Sequence, residues 1–144
     1  MTEQICTAAE CRQIDQLAMR RLQLSEFQLM QRAANAALDL MLQRWPDARH
    51  IAVYCGPGNN GGDGYLLAAG ARRLGIEVSL HALGTPGSET AKAARQEALN
   101  QGLLIRPIGG KGPEDFDPET DLVVDAPYGL SCPDLVVTNT IIAG

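Results

Sequence analysis

The chain has 144 residues, of which 45% are apolar and 20% charged, with 15 glycines and 8 prolines. That is the composition of a single soluble globular domain, able to bury about 70% of its unfolded surface without disulfide or metal staples. Two full domains and a disordered chain are excluded. Twelve Lys and Arg against 17 Asp and Glu give a net charge of −5. No overall field therefore draws the chain to nucleic acid or to an anionic membrane, and an anionic ligand needs a local site.

No run approaches the roughly 20 apolar residues of a membrane span. The opening residues lack the basic and apolar regions of a signal peptide, so the chain reads as cytoplasmic. Cys6, Cys11, Cys55 and Cys132 form no CxxC, and His50 and His81 stand far apart, so the cysteines read as free structural thiols.

Two helices are predicted first. Thr7-Ala8-Ala9-Glu10 and Ser25-Glu26-Phe27-Gln28 each fit a capping box, in which the hydroxyl caps an orphan backbone N–H and the Glu or Gln reaches back. Leu24 and Leu29 stand where a hydrophobic staple would. Ile14, Leu17, Ala18 and Leu22 recur at helical spacing after the first box. Phe27, Met30, Ala34, Ala37, Leu38, Met41 and Trp45 do so after the second. Pro46 stops the second helix.

From His50 short apolar runs alternate with helical patterns. Ile51 to Cys55 is continuously apolar, as in a central parallel strand. A glycine-rich loop, Gly56 to Gly64, precedes a helix predicted from Tyr65 to Leu74, with Gly75 as its C-terminal cap. Further strands are expected at Ile76 to Leu83, Leu103 to Ile105 and Leu122 to Val124. Ser88 caps a helix over Glu89 to Asn100. The alternation predicts an α/β domain with a parallel sheet and right-handed crossovers. Glu114, Asp115, Asp117, Glu119 and Asp121 lack the spacing of a calcium loop and read as a solvated segment.

The glycine-rich segment Gly56-Pro57-Gly58-Asn59-Asn60-Gly61-Gly62-Asp63-Gly64 carries the chemistry. It lies between a strand and a helix, where open α/β sheets bind ligands and a helix N-terminus offers unpaired N–H groups to phosphate. Its glycines are compatible with positive φ and with close approach of a ligand, while Asn59, Asn60 and Asp63 supply polar groups. It matches GxGxxG only formally, and no Lys-Ser/Thr follows, so it is not a P-loop. A tight turn with Asp63 as helix cap is the purely structural alternative.

The sequence resembles the YjeF N-terminal domain family, whose enzymatic members are NAD(P)H-hydrate epimerases. The resemblance spans about residues 8–126. It rests on Glu10-Cys11-Arg12-Gln13-Ile14-Asp15, Leu29-Met30-Gln31-Arg32-Ala33-Ala34, Gly58-Asn59-Asn60-Gly61-Gly62-Asp63-Gly64 and Val123-Val124-Asp125-Ala126. It implies a three-layer Rossmann-like fold with two extra N-terminal helices that help to form a homodimer. The implied reaction interconverts the R and S epimers of NADHX and NADPHX, the cofactors hydrated at C6 of the nicotinamide ring. The resemblance also implies functional pairing with an ADP- or ATP-dependent NAD(P)H-hydrate dehydratase. Asn59, Asn60, Gly61, Gly62 and Asp63 are implied to contact the hydrated dinucleotide, and Asn60 and Asp125 to bind a potassium ion.

After Ala126 the pattern departs. Pro127-Tyr128-Gly129-Leu130-Ser131 replaces a family loop that contacts substrate; Gly129 matches its first glycine, and the second is absent. A later family strand ending in Asp-Ile-Pro-Ser-Gly, which carries the aspartate implicated in catalysis, has no counterpart. The expectation is a single, C-terminally incomplete domain over residues 1–144, with one sheet edge uncovered and either epimerase activity or a non-catalytic nucleotide-binding or scaffold role. A dehydrogenase is disfavoured: Leu80-His81-Ala82-Leu83 ends the second strand with no acidic residue for ribose.

Overall fold

A computed structural model describes residues 6–108 and 119–126, and the backbone of 140–143. Helices α1 (Ala8–Leu22) and α2 (Glu26–Arg44) precede β1 (His50–Cys55), α3 (Asn59–Arg73), β2 (Glu77–Ala82), α4 (Glu89–Asn100), β3 (Ile105–Pro107), β4 (Leu122–Ala126) and β5 (Thr140–Ala143). The strands form one sheet in the order β3-β2-β1-β4-β5. This is the expected Rossmann-like α/β architecture with two extra helices ahead of the sheet, whose first four strands are parallel.

Both N-terminal capping boxes form as the sequence predicts. Glu10 N–H donates to Thr7 Oγ1 at 3.2 Å while Thr7 N–H donates to Glu10 Oε2 at 2.7 Å. Ser25 and Gln28 repeat the arrangement at 3.1 and 2.9 Å. The helices then differ in what they bury. Helix α2 lays Met30, Ala34, Leu38 and Met41 into the core, whereas α1 buries no residue.

The first four strands run parallel, pairing β1 with β2 and β4, and β2 with β3. Two right-handed crossovers progressing in one direction, through α3 and α4, place both helices on the same sheet face. Helix α3 is the centre of the molecule. Tyr65, Leu66, Leu67, Ala68, Ala69 and Ala71 are all buried, because the sheet, α2 and α4 enclose it. It ends as predicted at Gly75, whose φ of 83° permits the paired bonds Ile76 N–H to Ala71 O and Gly75 N–H to Arg72 O, at 3.1 and 3.0 Å.

Three expectations are corrected. Helix α3 starts at Asn59 rather than Tyr65, so the glycine-rich segment is mostly helix. Strand β3 starts at Ile105, two residues late, because Leu103 N–H is drawn back to Ala98 O at 3.3 Å in the turn that ends α4. The free edge expected beside β4 is paired: β5 runs antiparallel to it over Leu122 to Asp125, with Thr140 opposite Asp125.

Candidate functional site

The carboxyl ends of β1 and β4 and the start of α3 come together as the sequence requires. Gly56 N–H donates to Ala126 O at 2.9 Å, joining the ends of the two strands, and Leu83 N–H donates to Cys55 O at 2.8 Å. Only Gly56, Pro57 and Gly58 remain between β1 and α3. Gly58 is the N-cap in an extended conformation, and no side chain caps the helix. The Asp63 cap is thereby excluded: Asp63 is the fifth helical residue.

Gly61, Gly62 and Gly64 of this segment serve packing, not positive φ, whereas a Cβ on Gly58 would meet open space. Among described glycines only Gly75, Gly84 and Gly102 have positive φ. A Cβ on Gly61 would overlap the Gly56 carbonyl oxygen. On Gly62 it would lie 2.7 Å from the Met30 side chain, and on Gly64 2.8 Å from Cys55 Sγ and 3.0 Å from Ala126 Cβ. Their small size lets the start of α3 press against β1, β4 and α2, which places its N-terminus at the carboxyl end of the sheet. That end carries the positive pole of the helix dipole.

Asn59 is committed on both ends of its amide. Nδ2 donates to Glu26 Oε1 on α2 at 3.1 Å, and Oδ1 accepts from Ser88 Oγ, the N-cap of α4, at 2.8 Å. Ser88 Oγ in turn accepts from Ala91 N–H at 3.1 Å. The starts of α2, α3 and α4 are thus tied through one side chain. Asn60 follows, half-buried, as the second helical residue.

Asp63 faces a cavity of about 410 Å³ between α1, α2 and α3, lined by Arg12, Asp15, Glu26 and Asn59 on its polar side and by Met19, Leu29, Met30 and Ala33 on its apolar side. Burial pushes the Asp63 carboxyl up to about 7, and the Asp15 carboxylate adds to the rise. Asp63 therefore changes its protonation state near neutral pH.

Asp125 stands in β4 opposite Tyr54 of β1, whose ring stacks on His81 of β2 with centroids 4.7 Å apart and planes 10° from parallel. Strand alternation puts Asp125 and Tyr54 on one face, and Cys55 and Ala126, which meet Gly64, on the other. Asp125 thus lies on the sheet face away from α3, partly desolvated, with its carboxyl held above the ordinary carboxylate range by burial. The fold brings Asn60 and Asp125 to the same end of the sheet, on different elements. No three His, Cys, Asp or Glu side chains cluster as a metal site among the described residues. Gly129, with the departing segment after Ala126, lies outside the described residues.

A family model described as YjeF-related protein N-terminus matches residues 26–139. The chain belongs to this family. It is 44% identical over 110 residues to the bifunctional NAD(P)H-hydrate repair enzyme Nnr of Escherichia coli K12, covering 75% of this chain and 21% of that protein. It is 36% identical over 140 residues to the NAD(P)H-hydrate epimerase of Rhodobacter capsulatus, covering 90% of this chain and 63% of that one. An epimerase of Legionella pneumophila is 30% identical over 139 residues, covering 90% and 50%. The chain therefore spans less than two thirds of each of these relatives. The crystal structure of yeast ynu0 (YNL200c) superposes with a TM-score of 0.76 at 23% identity, over 90% of this chain and 58% of that one, so the two share a fold.

Sequence reasoning passed over Glu26 and Ser88 as partners of Asn59, and Asp15 and Arg12 as walls of the Asp63 cavity. Asp15 and Arg12 lie in the segment Glu10–Asp15, and Ser88 is the cap of α4. These pairs stand 29 to 51 positions apart in the sequence, and no local pattern encodes their meeting.

Proposed function

We propose that this chain is an NAD(P)H-hydrate epimerase domain, interconverting the R and S forms of NADHX and NADPHX. The observation that carries the reading is Asp63, a partly buried carboxyl poised near neutrality in the family's Asn-Asn-Gly-Gly-Asp-Gly segment, at the wall of a cavity beside an uncapped helix N-terminus. Epimerisation at C6 needs an acid that becomes a base within one turnover, and a pKa near the working pH suits both roles.

In this proposal the N–H groups at the start of α3 hold the anionic diphosphate, and the hydrated ring enters the cavity. Asp63 gives its proton to the C6 hydroxyl. The C6–O bond breaks, water leaves, and the positive charge spreads from C6 to the ring nitrogen, beside the Asp15 carboxylate. Water adds to either face, and its surplus proton returns to Asp63. No electrons enter or leave.

Asn60 and Asp125 fit a potassium ion by donor chemistry: an amide oxygen and a carboxylate oxygen are hard ligands, and a cation would compensate a carboxyl already penalised by burial. When bound, the ion offsets phosphate charge in an acidic protein. A homodimer through the N-terminal helices is supported by Ile14, Leu17 and Leu22 on α1, each half exposed or more. Pairing with a dehydratase is supported by the E. coli relative, a bifunctional repair enzyme far longer than this chain. Free Cys6, Cys11 and Cys55 support a reducing compartment, the cytoplasm. No described helix is long and apolar enough to cross a membrane.

The test supplies mixed NADPHX epimers together with an S-specific dehydratase. Clearance of the R form faster than its spontaneous epimerisation is expected. Clearance at the spontaneous rate means that this chain is not an epimerase.

A further inference from the structure

The amino end of the sheet, opposite the end that carries Asn60 and Asp125, holds a cleft of about 570 Å³ with Arg72, Glu77, Val78, Ser79, Arg106 and the buried His50 among its walls. We propose that this cleft binds a phosphate monoester of a small polyhydroxylated compound, a sugar phosphate in class. It stands at the other end of the sheet from the epimerase site and does not depend on it.

The cleft exists because the β2–β3 ladder starts late. Strand β3 pairs only with Leu80 to Ala82, since Leu103 N–H is drawn back to Ala98 O, and Glu77, Val78 and Ser79 are left without a strand on that side. Hydrogen bonds alternate sides along β2: Glu77 N–H donates to Arg49 O on the β1 side, whereas Ala82 O accepts from Ile108 N–H on the β3 side. Val78, in step with Ala82, therefore turns its N–H and C=O into the gap. Backbone groups placed in this way need a partner, and a ligand's phosphate and hydroxyl groups supply both polarities.

The side chains give the cleft its selectivity. Among the described residues the exposed guanidinium groups of Arg72 and Arg106 have no hydrogen-bond or ion-pair partner, whereas neighbouring Arg73 is held by Glu97 at 3.0 Å. Two cations against one carboxylate, Glu77, make the cleft locally positive in a chain of net charge −5. Guanidinium forks match phosphate oxygens. His50 Nε2 lies 2.8 Å from Ser79 Oγ; with the proton on Nε2 the imidazole donates to Ser79, whose own hydroxyl proton is left for a ligand oxygen. The last carbonyls of α3 and α4 are turned to other work, because Ala71 O, Arg72 O and Ala98 O accept from Ile76, Gly75 and Leu103 N–H. Glu77 decides the rest of the ligand: an ionised carboxylate only accepts, so it repels bare phosphate and favours hydroxyl donors. The volume is in the range of small-molecule sites and exceeds what phosphate alone would fill.

Amide NMR titration with ribose 5-phosphate tests this, with ribose and inorganic phosphate as separate arms. Saturable shifts are expected at Val78, Ser79 and Gly102, with weaker binding of inorganic phosphate and no saturation by ribose. Arg72→Gln and Arg106→Gln should each weaken ribose 5-phosphate about tenfold, the scale of one charge-assisted hydrogen bond, and Arg73→Gln by less than about twofold. Glu77→Gln should narrow the preference for ribose 5-phosphate over inorganic phosphate. Both arginines are exposed, so their variants keep the fold, which the amide spectra check directly. Lack of saturable shifts in the wild type, shifts confined to the start of α3, equal affinity for inorganic phosphate, or unchanged affinity in both arginine variants overturns the proposal.

Discussion

Gly64 of α3 lies directly against Cys55 of β1: a Cβ at Gly64 would come within 2.8 Å of Cys55 Sγ and 3.0 Å of Ala126 Cβ. This contact sets how closely the central helix approaches the central strand, and so where the open end of α3 stands. Gly64→Ala is expected to destabilise the fold by about 1–3 kcal/mol, the usual cost of overpacking a close-packed core. Urea unfolding measures it. Cys55→Ala in the same chain should recover part of the loss, because it removes one of the two atoms in the way.

Cys55 is fully buried, and desolvation pushes its thiol far above the ordinary cysteine range. In the native protein it should therefore resist a thiol reagent, while exposed Cys6 reacts at once. Peptide mapping after a timed pulse of reagent distinguishes the two. Labelling of Cys55 as fast as Cys6 would contradict the packing of α3 on β1.

Asp63 makes stability and activity depend on pH in the same range. Its folded carboxyl titrates near 7, above the ordinary 3.8, so the native state holds a proton that the unfolded state has released. Stability then falls as pH rises from about 4 to about 7, by a few kcal/mol at most. Asp63→Asn, an uncharged near-isostere, should flatten that part of the pH–stability curve and be the more stable protein at pH 8. The same substitution should abolish epimerisation. A mutant curve parallel to wild type between pH 4 and 8 would show that Asp63 is not the titrating group.

Much of this was legible in the sequence. The two capping boxes, the stop at Pro46, the Gly75 turn and the β-α-β order follow from local chemistry that operates within a few residues. The start of α3 was not legible, because glycines spaced through Gly56 to Gly64 weigh against a helix by propensity. Tertiary packing overrides that penalty: Gly61 faces the Gly56 backbone, where only hydrogen fits, and Gly62 and Gly64 lie close against the side chains of Met30, Cys55 and Ala126. The candidate site divides the same way. Asn59, Asn60, Asp63 and Asp125 were found by motif. Their neighbours Glu26, Ser88 and Asp15 come from elsewhere in the chain and carry no signal near the motif.

Asp121 latches the other end of the sheet. Its Oδ2 accepts from Arg49 N–H at 2.8 Å and from His50 N–H at 3.0 Å, and these bonds hold its carboxyl below the usual range. A depressed folded pKa contributes stability that is complete above the unfolded value of 3.8 and is lost as pH falls through the folded value. Asp121→Ala should thus lower Tm at pH 7, and the difference from wild type should shrink on acidification below pH 3.8. Scanning calorimetry at several pH values checks both.

The most direct test of the central claim is the initial rate of R-to-S conversion of purified NADPHX, followed by chromatography of the two epimers with wild type and Asp63→Asn side by side. Conversion well above the spontaneous rate is expected with wild type, declining as pH rises past about 7, and none above background with the variant. Wild-type conversion at the spontaneous rate, or full activity of Asp63→Asn, would contradict it.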